Sequence, residues 1–223
     1  MQADAIKSVI NVLLVEDHPM FRERLASMIS KRGDMAVCGE ADNVQDALRL
    51  TESLRPAIAI VDITLRGSNG LDFLKDLKAR GIGLPVLVLS MHDEALYAER
   101  ALRAGARGYI TKYEASSEVM AAIEQVLNGE VYLSRQMTSR MLGRFAIGKK
   151  SSDAGEVSAL TDRELDVFRR IGRGETARAI AAGLHVGVTT VDTYRARIKE
   201  KLGLKNGNEL QRRAMEWVQE FPA

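Results

Sequence analysis

The first 130 residues alternate between short apolar runs and longer stretches in which apolar residues recur at helical spacing. The runs are continuously apolar, as in Val-Leu-Val-Leu at 86–89, which is typical of strands buried on both faces of a parallel sheet. Five strand–helix repeats of this kind predict an α/β fold with a five-stranded doubly wound parallel sheet. The predicted strands cover residues 9–15, 35–38, 57–61, 86–89 and 108–110, and the predicted helices cover about 18–32, 43–54, 69–80, 93–104 and 115–128.

The pattern changes after residue 130, where no further strand is predicted. Apolar residues recur at helical spacing in residues 135–147. Residues 148–158 are small, polar and charged, a composition that is typical of a linker. From Leu160 onward the pattern is helical throughout and is broken by pairs of glycines. We therefore predict an α/β domain over residues 1–133, a partly helical linker over 134–157 and an all-α domain of four helices over 158–223.

Composition fits a folded protein in the cytoplasm. Hydrophobic residues make up 46% of the chain and charged residues 28%, which excludes wholesale disorder and a membrane-embedded fold. The single cysteine, Cys38, excludes an intrachain disulfide and a cysteine zinc cage, and it suits a reducing compartment. The apolar stretch at 9–15 is too short for a secretory signal or a membrane span, so no membrane association is expected.

Charge is distributed unevenly between the two halves. Residues 1–133 carry 15 Lys and Arg against 19 Asp and Glu, a net charge of −4, whereas residues 134–223 carry 17 against 11, a net charge of +6. This asymmetry indicates an acidic first half and a second half suited to nucleic acid.

Polar side chains follow the predicted strands at the end where a parallel sheet binds ligands. Glu16 and Asp17 follow the first strand, Asp62 the third, Ser90 the fourth and Lys112 the fifth. Clustered carboxylates repel one another, and a hard divalent cation such as Mg²⁺ relieves that repulsion. Asp17 and Asp62 are the expected direct ligands, with the main-chain carbonyl of Thr64 as a third.

Each of these residues also has a simpler interpretation. Asp17 could cap the helix that begins near Pro19, Ser90 could cap the next helix, and Lys112 could be a solvated lysine. Their joint placement at successive strand ends favours a common site.

Residues 9–128 resemble the receiver domain of two-component response regulators, on the set Glu16-Asp17, Asp62, Ser90 and Lys112 with Tyr109 and Gly105. The resemblance implies a flavodoxin-like receiver in which Asp62 accepts a phosphoryl group from a histidine kinase, with Mg²⁺ held through Glu16 and Asp17. Ser90 and Lys112 would pair with the phosphoryl oxygens. Ser90 and Tyr109 would be the switch residues: Ser90 would draw in the loop after the fourth strand, and Tyr109 would then turn inward.

A metal-dependent phosphatase uses similar residues. Phosphatases of the haloacid-dehalogenase type place a second aspartate two residues after the nucleophile as general acid, and here that position is Thr64. Without a proton donor there, turnover of outside phosphate esters is not expected, and slow self-dephosphorylation is the most that remains.

The C-terminal region predicts a helix-turn-helix. A capping signature, Thr161 with Glu164, opens one helix; a short helix at 176–182, a turn at 183–187 and a longer helix at 188–202 follow. At 100° per residue, Val191, Ile198 and Leu202 fall on one side of the longer helix, which is predicted to pack on the core. The opposite side carries the predicted DNA contacts, which are Thr189, Thr190, Asp192, Thr193, Ala196 and Arg197.

Residues 158–221 resemble the LuxR/NarL-type DNA-binding domain. The matching motifs are Leu160-Thr161-x-Arg163-Glu164, Gly174-x-Thr176-x-x-x-Ile180-Ala181, Thr190-Val191 and Lys201-Leu202-Gly203. The chain departs from that family at Ala179 and Tyr194, at Gly187, where a serine commonly caps the recognition helix, and at Asp192, which replaces a common lysine. The resemblance implies binding to double-stranded DNA, with the last helix pairing in a homodimer.

Together the resemblances predict a response regulator of the NarL/FixJ (LuxR-type helix-turn-helix) family, a DNA-binding transcription regulator controlled by phosphorylation rather than an enzyme. The alternative is a constitutive DNA-binding regulator whose receiver serves only for docking or dimerisation. The phosphorylated regulator is favoured because the chain has all four residues that would surround the phosphoryl group, Glu16, Asp17, Ser90 and Lys112.

Overall fold

The computed structural model describes residues 9–91, 94–147 and 156–220. The chain divides into two compact units, Met1–Thr138 and Ser139–Ala223, and each is described by itself.

A five-stranded parallel sheet forms the centre of the first unit. Its strands follow the order β2-β1-β3-β6-β7, with β4 and β5 in a separate two-stranded hairpin. The doubly wound sheet predicted from the apolar runs is thereby confirmed. The strands are β1 (Ile10–Val15), β2 (Met35–Ala41), β3 (Ile58–Val61), β4 (Thr64–Leu65), β5 (Ser68–Asn69), β6 (Val86–Ser90) and β7 (Gly108–Thr111).

Helices cover both faces of this sheet because the connections between parallel strands must cross over it. The central strand β3 is buried along its whole length, as the continuous apolar run predicted. On one face, Leu25 and Ile29 pack with Val119 and Ile123 over the side chains of the strands. The helices of this unit are α1 (Pro19–Ser30), α2 (Val44–Leu54), α3 (Gly70–Ala79), α4 (Glu94–Ala104) and α5 (Ala115–Leu127).

Two features of the first unit were not predicted. The β4–β5 hairpin has strands of only two residues, which are too short to show a periodicity. The second feature is Tyr132, whose amide donates to Arg107 O at 2.9 Å and whose carbonyl accepts from the Tyr109 amide at 3.0 Å. Tyr132 therefore forms an isolated parallel bridge with Gly108 and covers part of the β7 edge.

The second unit is helical. After α6 (Arg135–Ile147), which begins in the first unit, come a 3₁₀ turn (Glu156–Ala159) and four helices: α7 (Asp162–Gly172), α8 (Ala177–Gly183), α9 (Val188–Lys201) and α10 (Gly207–Glu220). The predicted four-helix domain is confirmed, apart from the 3₁₀ turn, which the pattern does not reveal.

Its core is built between α7, α9 and α10. The rings of Phe168 and Trp217 lie 5.8 Å apart at 57°, and Val191, Ile198 and Leu210 are fully buried. Helices α7 and α10 approach closely at Gly172, where a Cβ would overlap the backbone of Ala214.

Candidate phosphoacceptor site and DNA-facing helix

The carboxyl ends of four sheet strands bring the predicted receiver residues to one edge. The Asp62 amide donates to Val15 O at 2.9 Å, which places the end of β3 beside the end of β1, where Glu16 and Asp17 follow. The Lys112 amide donates to Ser90 O at 2.8 Å, which joins the ends of β6 and β7 in the same way. Glu16, Asp62, Ser90 and Lys112 are all buried.

The Lys112 ammonium connects two of the carboxylates. Its Nζ lies 2.8 Å from Asp62 Oδ2 and 2.6 Å from Glu16 Oε2, and 4.6 Å from the centre of the Phe21 ring. A lysine pointing into solvent would show none of these contacts. The solvated-lysine interpretation is therefore wrong for Lys112, and the ring of Phe21 in α1 adds a cation–π contact that restrains the ammonium.

Burial dominates the protonation of Asp62. It raises the pKa of that carboxyl to about 6; Lys112 opposes the rise, and the neighbouring Glu16 carboxylate adds to it. For Lys112 burial lowers the pKa, but Asp62 and Glu16 outweigh burial and leave the pKa of the ammonium raised. The site is therefore short of positive charge, because one ammonium faces more than one buried carboxylate.

The capping interpretation of Asp17 is not what the structure shows. Helix α1 has His18 as its N-cap, with Pro19 at the first helical position, and the His18 side chain makes no capping hydrogen bond among the described residues. His18 Nδ1 instead lies 2.8 Å from Asp17 Oδ1 and 3.1 Å from Glu16 Oε1. Ser90 is likewise not a helix cap, since α4 begins at Glu94, four residues later.

The donor set fits a hard divalent cation. Asp62 Oδ1 is buried and has no hydrogen-bond partner of good geometry within the described ranges, so it has an unused acceptor position. One ligand atom each from Glu16, Asp17, His18 and Asp62 lies within 4.8 Å of the others. Carboxylate oxygens are the ligands that Mg²⁺ prefers, and a buried unpartnered oxygen among them is a further indication of a cation position.

Three other predicted residues lie around this cluster. Ser90 is fully buried at the end of β6. Thr64, whose carbonyl is the third predicted ligand, lies in the β4–β5 hairpin and is paired with Asn69. A backbone hydrogen bond from Thr64 lowers the pKa of Asp62, against the larger effect of burial.

The prediction for Tyr109 differs from the structure. An inward turn of its ring requires a side chain that starts out exposed, whereas the Tyr109 side chain is already fully buried. Its strand is not a bare edge, since Tyr132 pairs beside it.

Three residues near the site, His18, Phe21 and Gly70, could not be predicted from the sequence. A single histidine beside two acids carries no spacing signal, and Phe21 has the pattern of an ordinary apolar position of α1. Gly70 matters through a tertiary contact that no sequence pattern shows: a Cβ there would overlap the Asp62 carbonyl, so glycine lets the start of α3 pack against the backbone of Asp62.

Helix α9 presents the predicted DNA contacts to solvent. Thr189, Asp192, Thr193, Ala196 and Arg197 are exposed and Thr190 is half-buried. The opposite side is buried through Val191 and Ile198, as the angular pattern predicted. The Thr193 hydroxyl donates to Thr189 O at 3.0 Å, which turns it back to its own helix.

Two of the sequence departures and one cation of α9 have identified surroundings. Gly187 is the N-cap and offers no side-chain oxygen to the first turn. Asp192, in place of the common lysine, lies 3.8 Å from the Arg195 guanidinium. Lys201 lies 2.6 Å from Glu164 Oε2, and Glu164 also closes the predicted capping box with Thr161 at the start of α7. Lys201 therefore ties α9 to α7.

Known proteins share both halves of this chain. Residues 12–124 match the response regulator receiver domain, and residues 158–214 match the bacterial regulatory proteins of the luxR family. The nitrate/nitrite response regulator NarL of Escherichia coli is 30% identical over 93% of this chain and 94% of its own length. EvgA of Escherichia coli, a DNA-binding transcriptional activator, is 29% identical over 88% of this chain and 93% of its own.

Solved structures agree with these similarities. A LuxR-family two-component response regulator from Aurantimonas is 31% identical, with a TM-score of 0.58, over 62% of this chain and 99% of that one. Among the helices of the described residues, none has the length and apolar character needed to cross a membrane. With both halves matched in this order, the chain belongs to the two-component response regulators that join a receiver domain to a LuxR-type DNA-binding domain.

Proposed function

We propose that this response regulator accepts a phosphoryl group on Asp62 from a sensor histidine kinase and that this modification controls its binding to double-stranded DNA. The observation that carries the proposal is the buried Asp62 carboxylate, which has Lys112 on Oδ2, no hydrogen-bond partner for Oδ1 among the described residues, and a ligand atom within 4.8 Å of ligand atoms of Glu16 and Asp17. An oxygen that no described group occupies can act as a nucleophile or as a metal ligand, so this arrangement supports a reactive carboxylate.

Each residue has a distinct part in the proposed reaction. Glu16 and Asp17, together with Asp62 and the Thr64 carbonyl, would hold Mg²⁺, which supplies positive charge against the transferring group. The carboxylate of Asp62 is the nucleophile. Once Asp62 carries the phosphoryl group, the Lys112 ammonium would pair with one of its oxygens and the Ser90 hydroxyl would donate to another.

The DNA-binding step is assigned to the exposed side of α9. Thr189, Thr193 and Ala196 are small, so this side can approach base edges in a major groove, while Thr190, Asp192 and Arg197 flank it. We assign α10 to contact with a second copy in a DNA-bound homodimer, residues 134–157 to the linker between the two domains, and the whole protein to the cytoplasm, where its kinase and DNA meet.

Acyl-phosphate labelling tests the acceptor. Wild-type protein incubated with acetyl phosphate and Mg²⁺ should gain one phosphoryl group by intact-mass measurement, and Asp62→Asn should gain none. Asp72→Asn, on the exposed part of α3, is the matched control and should label as the wild type does. Undiminished labelling of Asp62→Asn would refute Asp62 as the acceptor.

The same preparation separates the other two interpretations. A constitutive regulator would bind DNA equally well before and after incubation and would take up no phosphoryl group. A phosphatase would turn over p-nitrophenyl phosphate continuously, which the absence of an acid at Thr64 argues against.

A further inference from the structure

His18 is a nitrogen donor placed at the edge of the carboxylate cluster. Its Nδ1 lies 2.8 Å from Asp17 Oδ1 and 3.1 Å from Glu16 Oε1, and its own amide donates to Glu16 Oε1 at 2.9 Å. The side chain is 62% exposed, so these contacts with the carboxylates fix the ring more than core packing does.

These distances are in the range of hydrogen bonds and ion pairs, and they are also compatible with neighbouring ligands around one ion. Ligands about 2.1 Å from an octahedral ion lie about 3 Å apart when adjacent, which matches the distances from Nδ1 to both oxygens. Asp62, a residue that is 3% exposed, belongs to the same cluster, and its Oδ1 has no hydrogen-bond partner within the described ranges, which is an independent indication that a cation belongs there.

We infer that His18 is a metal ligand of this site and makes it selective for transition ions, such as Co²⁺, Ni²⁺ or Zn²⁺, over Mg²⁺. Oxygen ligands alone suit Mg²⁺, whereas imidazole nitrogen raises affinity for the later first-row ions and adds little for Mg²⁺. The inference rests on the cation site of the proposed function. It adds His18 to the ligands of that site and thereby changes which ions the site binds most tightly.

Calorimetric titration of the full chain with Co²⁺ and, separately, with Mg²⁺ at pH 7.5 tests this selectivity. His18→Asn keeps a side chain of similar reach but replaces the nitrogen with an amide oxygen. It should weaken Co²⁺ binding by about tenfold or more and change Mg²⁺ binding by less than about twofold. Asp62→Asn should weaken the binding of both ions.

Matched controls use the other two histidines of the chain, His92 and His185. His92→Asn and His185→Asn should leave Co²⁺ affinity at the wild-type value. Loss of Co²⁺ binding in either control, or its retention in Asp62→Asn, would place the ion elsewhere and overturn the inference. Equal losses for Co²⁺ and Mg²⁺ in His18→Asn would show that His18 only braces the carboxylates, which also overturns it.

Proton NMR of the Co²⁺-loaded protein gives a direct readout of the ligand. A coordinated imidazole carries an exchangeable N–H whose resonance is shifted far from the diamagnetic range by the paramagnetic ion. That resonance should be present in the wild type and absent in His18→Asn; its absence in the wild type would refute ligation. Acetyl-phosphate labelling with Mg²⁺ is measured on the same protein preparations. Loss of labelling in the wild type would contradict the proposed function, whereas normal labelling without the shifted resonance would contradict only the role of His18.

Discussion

At the scale of single residues, Asp62 is held in an unfavourable ionised state. Its burial and the neighbouring Glu16 raise its pKa to about 6, although Lys112 lies 2.8 Å away. A carboxyl whose pKa is higher in the folded than in the unfolded protein binds protons preferentially when folded, so its ionisation reduces stability as pH rises. The reduction starts near the unfolded pKa of about 4 and is complete above pH 6.

Replacing Asp62 with the neutral isostere should therefore stabilise the metal-free protein. With EDTA present at pH 7, Asp62→Asn should raise the free energy of unfolding of the receiver by up to about 3 kcal/mol, because it removes a charge from a carboxyl whose pKa burial raises to about 6. The gain should shrink as pH falls from 6 to 4. Urea unfolding across this pH range measures it.

The exposed Asp72→Asn substitution is the control for this series and should change stability by less than about 0.5 kcal/mol. A constant gain from Asp62→Asn at every pH would contradict the elevated pKa of Asp62.

At the scale of elements, α9 separates its cations by role. Arg197 lies on the exposed side with the predicted DNA contacts, whereas Lys201 lies 2.6 Å from the buried Glu164 carboxylate of α7. Burial raises the pKa of Glu164, but Lys201 and the capping hydrogen bonds outweigh it and leave the pKa lowered. The stabilisation from this ion pair is therefore present at neutral pH and is lost as acid protonates Glu164.

Alanine substitutions at the two cations should separate DNA binding from stability. Arg197→Ala should weaken DNA binding and reduce the slope of log affinity against log salt by about one. Lys201→Ala should leave affinity within about twofold but lower the free energy of unfolding by about 1 kcal/mol at pH 7, and by less at pH 3. Fluorescence anisotropy on genomic fragments selected by the protein, at several salt concentrations, and chemical unfolding measure the two effects.

These two variants serve as each other's control. An unchanged salt slope in Arg197→Ala would reject a phosphate contact for Arg197. A weakened affinity in Lys201→Ala with unchanged stability would mean that Lys201 contacts DNA rather than α7.

At the scale of the whole molecule, two compact units share one chain, and the candidate cation ligands all belong to the first. A ligand that binds only the folded form of one unit stabilises that unit by mass action. Each unit has its own buried core, so each can unfold in its own transition.

Mg²⁺ should therefore move only one of two thermal transitions. At a concentration a hundredfold above its dissociation constant, Mg²⁺ should stabilise the first unit by about 2.7 kcal/mol and leave the transition of the second unit in place. Differential scanning calorimetry with and without Mg²⁺ measures both, and Asp62→Asn, which lacks one ligand, should show a smaller shift. Equal shifts of both transitions would show that the units unfold together.

Much of the architecture could be predicted because it depends on local patterns. Continuous apolar runs specified β1, β3, β6 and β7, the capping pair Thr161 and Glu164 marked the start of α7, and the angular pattern of α9 separated Val191 and Ile198 from the exposed side. The two-residue strands of the β4–β5 hairpin could not be predicted, because nothing in so short a segment repeats.

The sequence by itself determined the succession along the chain of the five sheet strands and their helices, the two-part organisation and which polar residues end the strands, since burial of apolar surface dictates those patterns position by position. Only the tertiary structure decided which groups pair: that Lys112 takes both Glu16 and Asp62, that His18 meets Glu16 and Asp17, and that Tyr109 is buried beneath a bridged edge. Those pairings depend on distances of a few ångströms between segments far apart in the chain, or on side-chain directions, and no local pattern encodes either.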